Sequence, residues 1–324
     1  MSVMFMGTDR FAVPALKAII NSGVELVCVI TQPDQPKGRG LKVTPSPVKE
    51  VALEYRLPVY QPERVREKEF IAKVREEFKP DLIIVAAFGQ ILPKALLDLP
   101  AYGCINLHPS LLPKYRGAAP VQRAVMNGEK ETGVTVMFMD EGEDTGDIII
   151  QESVEIGISE TADLLSQRLA DLAARMLLKV LHREDMSAIP RHPQDHSKAS
   201  RAPKLKKEDG LIDWGKTALE IHNLVRGTVP WPGAYTTFQA LEKLEDAPVG
   251  ENNQLKIRES RLIGSPSKAP AGTITDILLD SSMVVATGDM GLAIITVQPA
   301  NKSRMKAKDF MNGYRIKVGD ILGR

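Results

Sequence analysis

The sequence is short of several features that would have set its class at once. Only two cysteines occur in 324 residues, Cys28 and Cys104. They lie in the apolar runs ELVCVI and GCINL, which predicts two buried free thiols in a reducing compartment, not a disulfide framework. No Cys/His cluster has zinc spacing, and no metal is expected. No run reaches the ~20 apolar residues of a membrane helix. The opening MSVMFMGTDR lacks a basic region followed by a long apolar stretch. A cytoplasmic protein with no membrane partner is the expectation. Glycine is scarce in the first strand-to-helix turn, MGTDRFAVP, which has one where the nicotinamide-dinucleotide fingerprint needs three. That argues against an NAD enzyme.

Net charge is nearly absent, at +1, but it is unevenly spread. Residues 1–203 carry 25 Lys and Arg against 27 Asp and Glu, and residues 204–324 carry 17 against 14. The surplus concentrates in NKSRMKAKDFMNGYRIK (301–317), with six basic residues and one acid. Such a stripe attracts phosphate backbones, although a solvated face has the same composition.

Strand-like and helix-like segments alternate through the first half. SVMFMG (2–7), VELVCVI (24–30), DLIIVAA (81–87) and GCINL (103–107) are apolar runs without alternation, as in parallel strands buried on both faces. Between them FAVPALKAIINSG, SPVKEVALEYR and EFIAKVREEF have helical spacing. Ser46 followed by Pro47 reads as an N-cap and first helical residue. The order predicts a doubly wound, Rossmann-like α/β domain. GVTVMFMD and DIIIQESVEI read as two strands joined by an acidic turn, and residues 161–181 as a long amphipathic helix. The polar, aperiodic stretch that follows has three prolines and reads as a linker. Short strand candidates with turn signals then predict a small C-terminal β-barrel of the oligonucleotide-binding (OB-like) kind, with TGDMG as a hairpin turn. The expected division is 1–183, a linker at 184–207, and 208–324.

A doubly wound sheet binds ligands at the carboxyl ends of its strands. There Asn106 and His108 stand two residues apart in NLHPSLLPKYRG, so their side chains leave an extended chain on the same side. Taken alone they read equally well as a turn-forming Asn and a hydrogen-bonded surface His. MDEGEDTGD (139–147) adds Asp140, Glu141, Glu143, Asp144 and Asp147, any one of which could orient the imidazole. Amide, imidazole and carboxylate suit acyl transfer to an amine, with donors for an oxyanion and groups for proton traffic. No Ser or Cys nucleophile with a neighbouring base is evident, which favours direct transfer.

These residues resemble the signature of the 10-formyltetrahydrofolate-dependent formyltransferases: N-x-H-x-S-L-L-P-x-[WY]-R-G-x-x-P, then E-T-G-V-T, then D-x-G-x-D-T-G. Each element is present within 106–149. The resemblance implies a catalytic set of Asn106, His108 and Asp144. It implies a folate site made by Phe88, Gly89, Gln90, Ile91 and Leu92 of AAFGQILP, by Ser110, Leu111, Leu112 and Pro113, and by Asp140. The co-substrate would be 10-formyltetrahydrofolate. One departure is Asp9, where relatives usually carry proline; that turn does no chemistry.

Family members differ in the amine they formylate. TQPDQPKGRGLKVTPSPVKEVA (31–52) resembles the insertion of members acting on initiator tRNA, and such members also carry a C-terminal barrel. The resemblance therefore implies initiator methionyl-tRNA as partner, formylated on the methionine α-amino group, with Lys37, Arg39, Lys42, Lys204, Lys206 and Lys207 toward the RNA. An amino-sugar N-formyltransferase is the alternative enzyme, and a tRNA-binding module without activity is the alternative outside enzymes. A monomer is expected. Residues 239–262 match less clearly and carry no assigned role.

Overall fold

Why the first half folds as layers follows from its apolar runs. The computed structural model describes residues 1–37, 42–239 and 253–323, with backbone alone at 37 and 42. Strand β1 (Ser2–Gly7) is buried from Val3 onward, and the strand over Leu82–Ala86 is buried at every residue. Neither has a polar face to give to water, so helices must cover both sides. In chain order the first-half strands are β1, β2 (Glu25–Ile30), β3 (Gln35–Lys37), β4 (Lys42–Thr44), β5 (Val59–Tyr60), β6 (Leu82–Ala86), β7 (Cys104–His108), β8 (Glu131–Phe138) and β9 (Ile148–Glu155). Seven of them form one sheet in the order β5-β2-β1-β6-β7-β8-β9. It is parallel as far as β7, while β7–β8 and β8–β9 are antiparallel. The order reverses beside β1, which opens a crevice at the carboxyl ends of the central strands. The β3–β4 hairpin is separate and pairs Lys37 with Lys42.

Helices α1 (Val13–Asn21), α2 (Pro47–Glu54), α3 (Lys68–Lys73), α4 (Lys94–Leu97) and α5 (Pro120–Met126) connect these strands, and α6 (Ala162–Leu181) follows β9. Ser46 caps α2, its hydroxyl accepting from the Lys49 N–H at 3.1 Å, with Pro47 at the first position. The helix expected over 69–78 is α3 followed by a π-helical turn, Val74–Phe78, which ends at Lys79 with φ of 41°.

The chain divides into two compact units. The first comprises Met1–Pro120, Glu131–Glu155 and Leu165–Pro203; the second comprises Val121–Lys130, Ile156–Leu164 and Lys204–Arg324. Residues 184–203, read from sequence as linker, are thus part of the first unit. His192 and Ile148 exchange two backbone hydrogen bonds, of 2.8 and 3.0 Å.

The second unit is built on an antiparallel sheet. Its strands are β10 (Tyr235–Thr237), β11 (Gln254–Pro266), β12 (Ile274–Ile277), β13 (Met283–Ala286), β14 (Met290–Pro299) and β15 (Met305–Lys306). The order is β10-β11-β14-β13-β12, with β15 on β14. Among the described residues this path is open, and its end strands β10 and β12 share no ladder. The TGDMG turn does join β13 to β14 as a hairpin, with the Thr287 N–H on the Met290 carbonyl at 2.9 Å. Helix α7 (Ala218–Gly227) starts with a reciprocal Thr217–Glu220 capping box. Helix α8 (Ala307–Tyr314) supplies Phe310, which meets Phe238 edge-on at 5.0 Å in the core. Among the described residues no helix is long and apolar enough to cross a membrane.

Candidate active site

Strand β7 runs between β6 and β8, with Asn106 opposite Val85 and Met137 and His108 opposite Thr135. The loop after it is held by polar groups. The Thr135 hydroxyl donates to the Ser110 carbonyl at 2.7 Å and accepts from the Leu112 N–H at 3.2 Å. The Gln151 amide donates to the Leu112 carbonyl and to the Thr135 hydroxyl, both at 2.8 Å. The Ser110 hydroxyl donates to the Lys114 carbonyl at 2.7 Å. The loop thus returns over His108, whose Nε2 lies 3.0 Å from the Tyr115 carbonyl.

The turn between β8 and β9 brings in Asp144. Its Oδ2 accepts the Gly117 N–H at 2.8 Å and lies 3.5 Å from His108 Nδ1. Its Oδ1 lies 3.4 Å from Asn106 Nδ2. Two side-chain donors therefore converge on one carboxylate over long distances, while a backbone N–H holds it firmly. His108 is 4% exposed. Both its ring nitrogens face acceptors, so only the doubly protonated ring donates to both. Tyr115 and Asp144 have positive φ, 61° and 54°, a conformation that costs an L-residue energy and tends to collect at functional sites.

A cavity of about 270 Å³ lies beside β7, lined by Leu97, Gly103, Cys104, Phe138, Met139 and Asp140, with charged residues including Lys94 and Arg191 at its edge. Burial, aided by nearby Asp98, pushes the Cys104 thiol up to about 12, so this wall is neutral. The Arg191 guanidinium lies over the Phe138 ring, 3.5 Å from its centroid.

Of the expected folate residues, Asp140 is the one that lines this cavity. Its Oδ1 accepts from the Gly142 N–H and the Thr145 hydroxyl at 3.0 and 2.6 Å. Phe88 and Leu92 turn their side chains into the core. The Phe88 carbonyl accepts from Thr8 and Gln32, and Gly89 (φ 84°) packs against the Gln32 amide. Gln90 is tied to Val65 and Glu63, and Ile91 is 87% exposed. Leu112 is buried, while Leu111 and Pro113 are half-buried. Lys204, Lys206 and Lys207 are exposed in the second unit. Arg39 lies outside the described residues.

Sequence reasoning missed the cavity's apolar wall, Gly117 and Gln194. Gly103 directly before β7 and Phe138 directly before the acidic turn were the available signals. It also missed a basic group in the second unit. Burial, then Arg258 and Lys207, hold Lys256 below the usual lysine range. Burial and Arg304 do the same to Arg258.

Comparison with known proteins places this architecture among the formyl transferases. The formyl transferase family matches residues 1–181, and its C-terminal domain matches residues 204–315. The methionyl-tRNA formyltransferase of Alkaliphilus oremlandii (strain OhILAs) is 47% identical over 323 residues, and that of Clostridioides difficile (strain 630) is 45% identical over 323, each match covering 100% of both chains. The chain belongs to the methionyl-tRNA formyltransferase family. HypX from Aquifex aeolicus, solved in complex with tetrahydrofolic acid, superposes with a TM-score of 0.62 over 98% of this chain and 48% of its own. At 14% identity that likeness speaks for the fold alone.

Proposed function

We propose that this protein transfers the formyl group of 10-formyltetrahydrofolate to the α-amino group of methionine on charged initiator tRNA, for translation initiation. The observation that carries the chemistry is the convergence of Asn106 and His108 on the Asp144 carboxylate. Their separations are long, as catalytic hydrogen bonds often are before substrate arrives. A formyl oxygen entering here takes over the Asn106 and His108 donors. The amine attacks the formyl carbon directly, and negative charge collects on that oxygen through a tetrahedral intermediate. Each donor aimed at it contributes ~10²–10³ in rate. Asp144 keeps the imidazole oriented and accepts the proton that the amine loses. The bond to the folate nitrogen then breaks, and that nitrogen takes the proton Asp144 accepted, which returns the carboxylate and balances the step.

The cavity beside β7 suits the flat heteroaromatic end of the co-substrate. Leu97, Phe138 and Met139 offer apolar faces, and Asp140 an acceptor for ring N–H groups. Phe88–Leu92 and Ser110–Pro113 remain our proposed folate-binding segments beside it, the former toward the pteridine ring.

The functional division we propose is a catalytic part at 1–183, a connection at 184–207 and an OB-like tRNA-binding barrel at 208–324. After burial, Arg258 and Lys207 lower Lys256 and Arg304 lowers Arg258, so positive charge gathers here and favours an anionic partner. Lys204 and Lys206 extend this group along the sequence, and Lys37, Arg39 and Lys42 would reach the acceptor stem. The protein acts in the cytoplasm as a monomer. Formyl transfer from labelled co-substrate, offered charged initiator tRNA, charged elongator methionine tRNA and a nucleotide amino sugar, tests this reading. Formylation of the initiator alone is expected, and formylation of the sugar alone would overturn it.

A further inference from the structure

The segment 184–203 has the sequence of a linker, yet one of its side chains grips the backbone of the catalytic turn. Gln194 is 6% exposed. Its Nε2 donates to the Asp144 carbonyl at 3.0 Å and to the Gly146 carbonyl at 2.8 Å. Its Oε1 accepts from Arg116 Nε at 3.2 Å and Nη2 at 2.6 Å. Asp144 is the residue held at φ of 54°, and Gly117, next to Arg116, is the one that donates to its carboxylate. One amide thus ties together the two turns whose relative placement aims Asp144. The carbonyls it binds, one part-buried and one buried, find their donor outside the turn, so the left-handed conformation is stabilised from elsewhere in the chain.

We propose that Gln194 is a positioning residue for formyl transfer: its carboxamide locks the left-handed Asp144 so that the carboxylate meets His108, Asn106 and the Gly117 N–H together. Gln194 is buried, and both ends of its amide are engaged by the protein itself. Its effect passes through Asp144, and so rests on the catalytic reading of Asn106, His108 and Asp144 given above. A misplacement of about 1 Å in such a group costs ~10²-fold in rate.

Gln194→Glu separates the two halves of the side chain. It keeps an acceptor for Arg116 and loses the donor to the Asp144 and Gly146 carbonyls. Gln194→Met removes both halves without adding charge, which guards against a folding failure caused by the carboxylate. With charged initiator tRNA and 10-formyltetrahydrofolate, both variants should lose about ten- to one-hundred-fold in kcat with both KM values nearly unchanged. If Gln194 only anchors Arg116, Gln194→Glu keeps wild-type kcat, and that overturns the inference. Parallel loss of kcat and of affinity for both substrates, as from general loosening, also overturns it. Asp144→Asn is assayed alongside. If it loses turnover while Gln194→Met does not, the catalytic reading stands and this inference fails. If Asp144→Asn retains full turnover, the catalytic reading fails first.

Discussion

Gly117→Ala puts the geometry of the carboxylate under a test whose size can be worked out. Gly117 has φ of 114°, where only glycine rests comfortably. An added Cβ would stand 2.9 Å from the Ala202 carbonyl oxygen and 3.4 Å from its carbon. That carbonyl is backbone, and it already accepts the Ala119 N–H at 3.0 Å, so it has little room to retreat. Residue 117 must therefore move, at a strain cost of about 1–3 kcal/mol. The moving N–H is the 2.8 Å donor to Asp144 Oδ2, a hydrogen bond to a charged group that is worth about 1.5–3 kcal/mol when intact. A net loss of about 3 kcal/mol lowers Tm by roughly 6–12 °C in a unit of this size. The catalytic consequence is larger, because a carboxylate displaced by about 1 Å costs ~10²-fold in kcat. Steady-state kinetics at a temperature well below the variant's Tm should show that loss with KM for both substrates changed by less than about three-fold. Wild-type kcat in a folded Gly117→Ala protein would refute the assignment of Asp144 as an oriented catalytic group.

Three other expectations follow from groups outside the turn. Initiator-tRNA binding should weaken steeply with salt, and Lys256→Ala combined with Arg258→Ala should reduce the slope of log K against log salt by roughly 0.7–0.9 for each phosphate no longer neutralised; an unchanged slope would place the RNA elsewhere. His222 sits buried between the Ser260 hydroxyl at 2.9 Å and the Ile158 carbonyl at 3.0 Å, and burial, with Arg226 nearby, lowers its pKa from the ordinary value. The unfolded chain then binds the proton more readily than the folded one, so this contribution is present above about 6.5 and is lost as pH falls below it. Thermal melts should accordingly show wild type losing more stability than His222→Gln on acidification, and equal losses would contradict this. Burial also pushes the Cys28 thiol up to about 11 and Cys104 up to about 12. Only about one Cys28 thiol in a thousand is ionised near pH 8, so a disulfide reagent should label neither cysteine until the chain unfolds, and fast labelling of the native protein would contradict their burial.

The parts of this structure that were legible in the sequence are those where one physical rule acts locally. Uninterrupted apolar runs at β1 and β6 can only be strands buried on both faces, and Ser46–Pro47 states a helix start in two residues. Asn106 and His108 were legible because a strand sends side chains two apart to one side. Asp144 was one of five acids on residue pattern, and the family motif alone singled it out. Phe88 and Leu92 show the opposite case. They belong to the expected cofactor loop, but which face of an irregular loop turns inward has no period to read, and here both are core. Leu97, Phe138 and Met139 were hidden for the converse reason, since an apolar side chain lining a cavity looks the same in sequence as one packed in the interior.

Segment 184–203 hides its packing for a reason that goes deeper than loop ambiguity. Hydrophobic period reveals an element only when side chains do the packing. Here the work falls to the backbone: the Arg116 N–H bonds the Ser200 carbonyl at 2.9 Å, the Ala202 N–H bonds the Arg116 carbonyl at 2.6 Å, and His192 pairs with Ile148. Any residue type but proline can donate such bonds, so composition is free to look like a solvated linker. The side chains that matter are polar and isolated. Ser200 accepts the Tyr115 N–H at 2.9 Å, and Gln194 reaches three partners. Tyr115 and Asp144, the two left-handed residues of the site, are both among the groups this segment binds. A conformation that the local sequence disfavours has to be held from elsewhere in the chain, and a strip of backbone with a few well-placed amides and hydroxyls holds it without leaving a pattern.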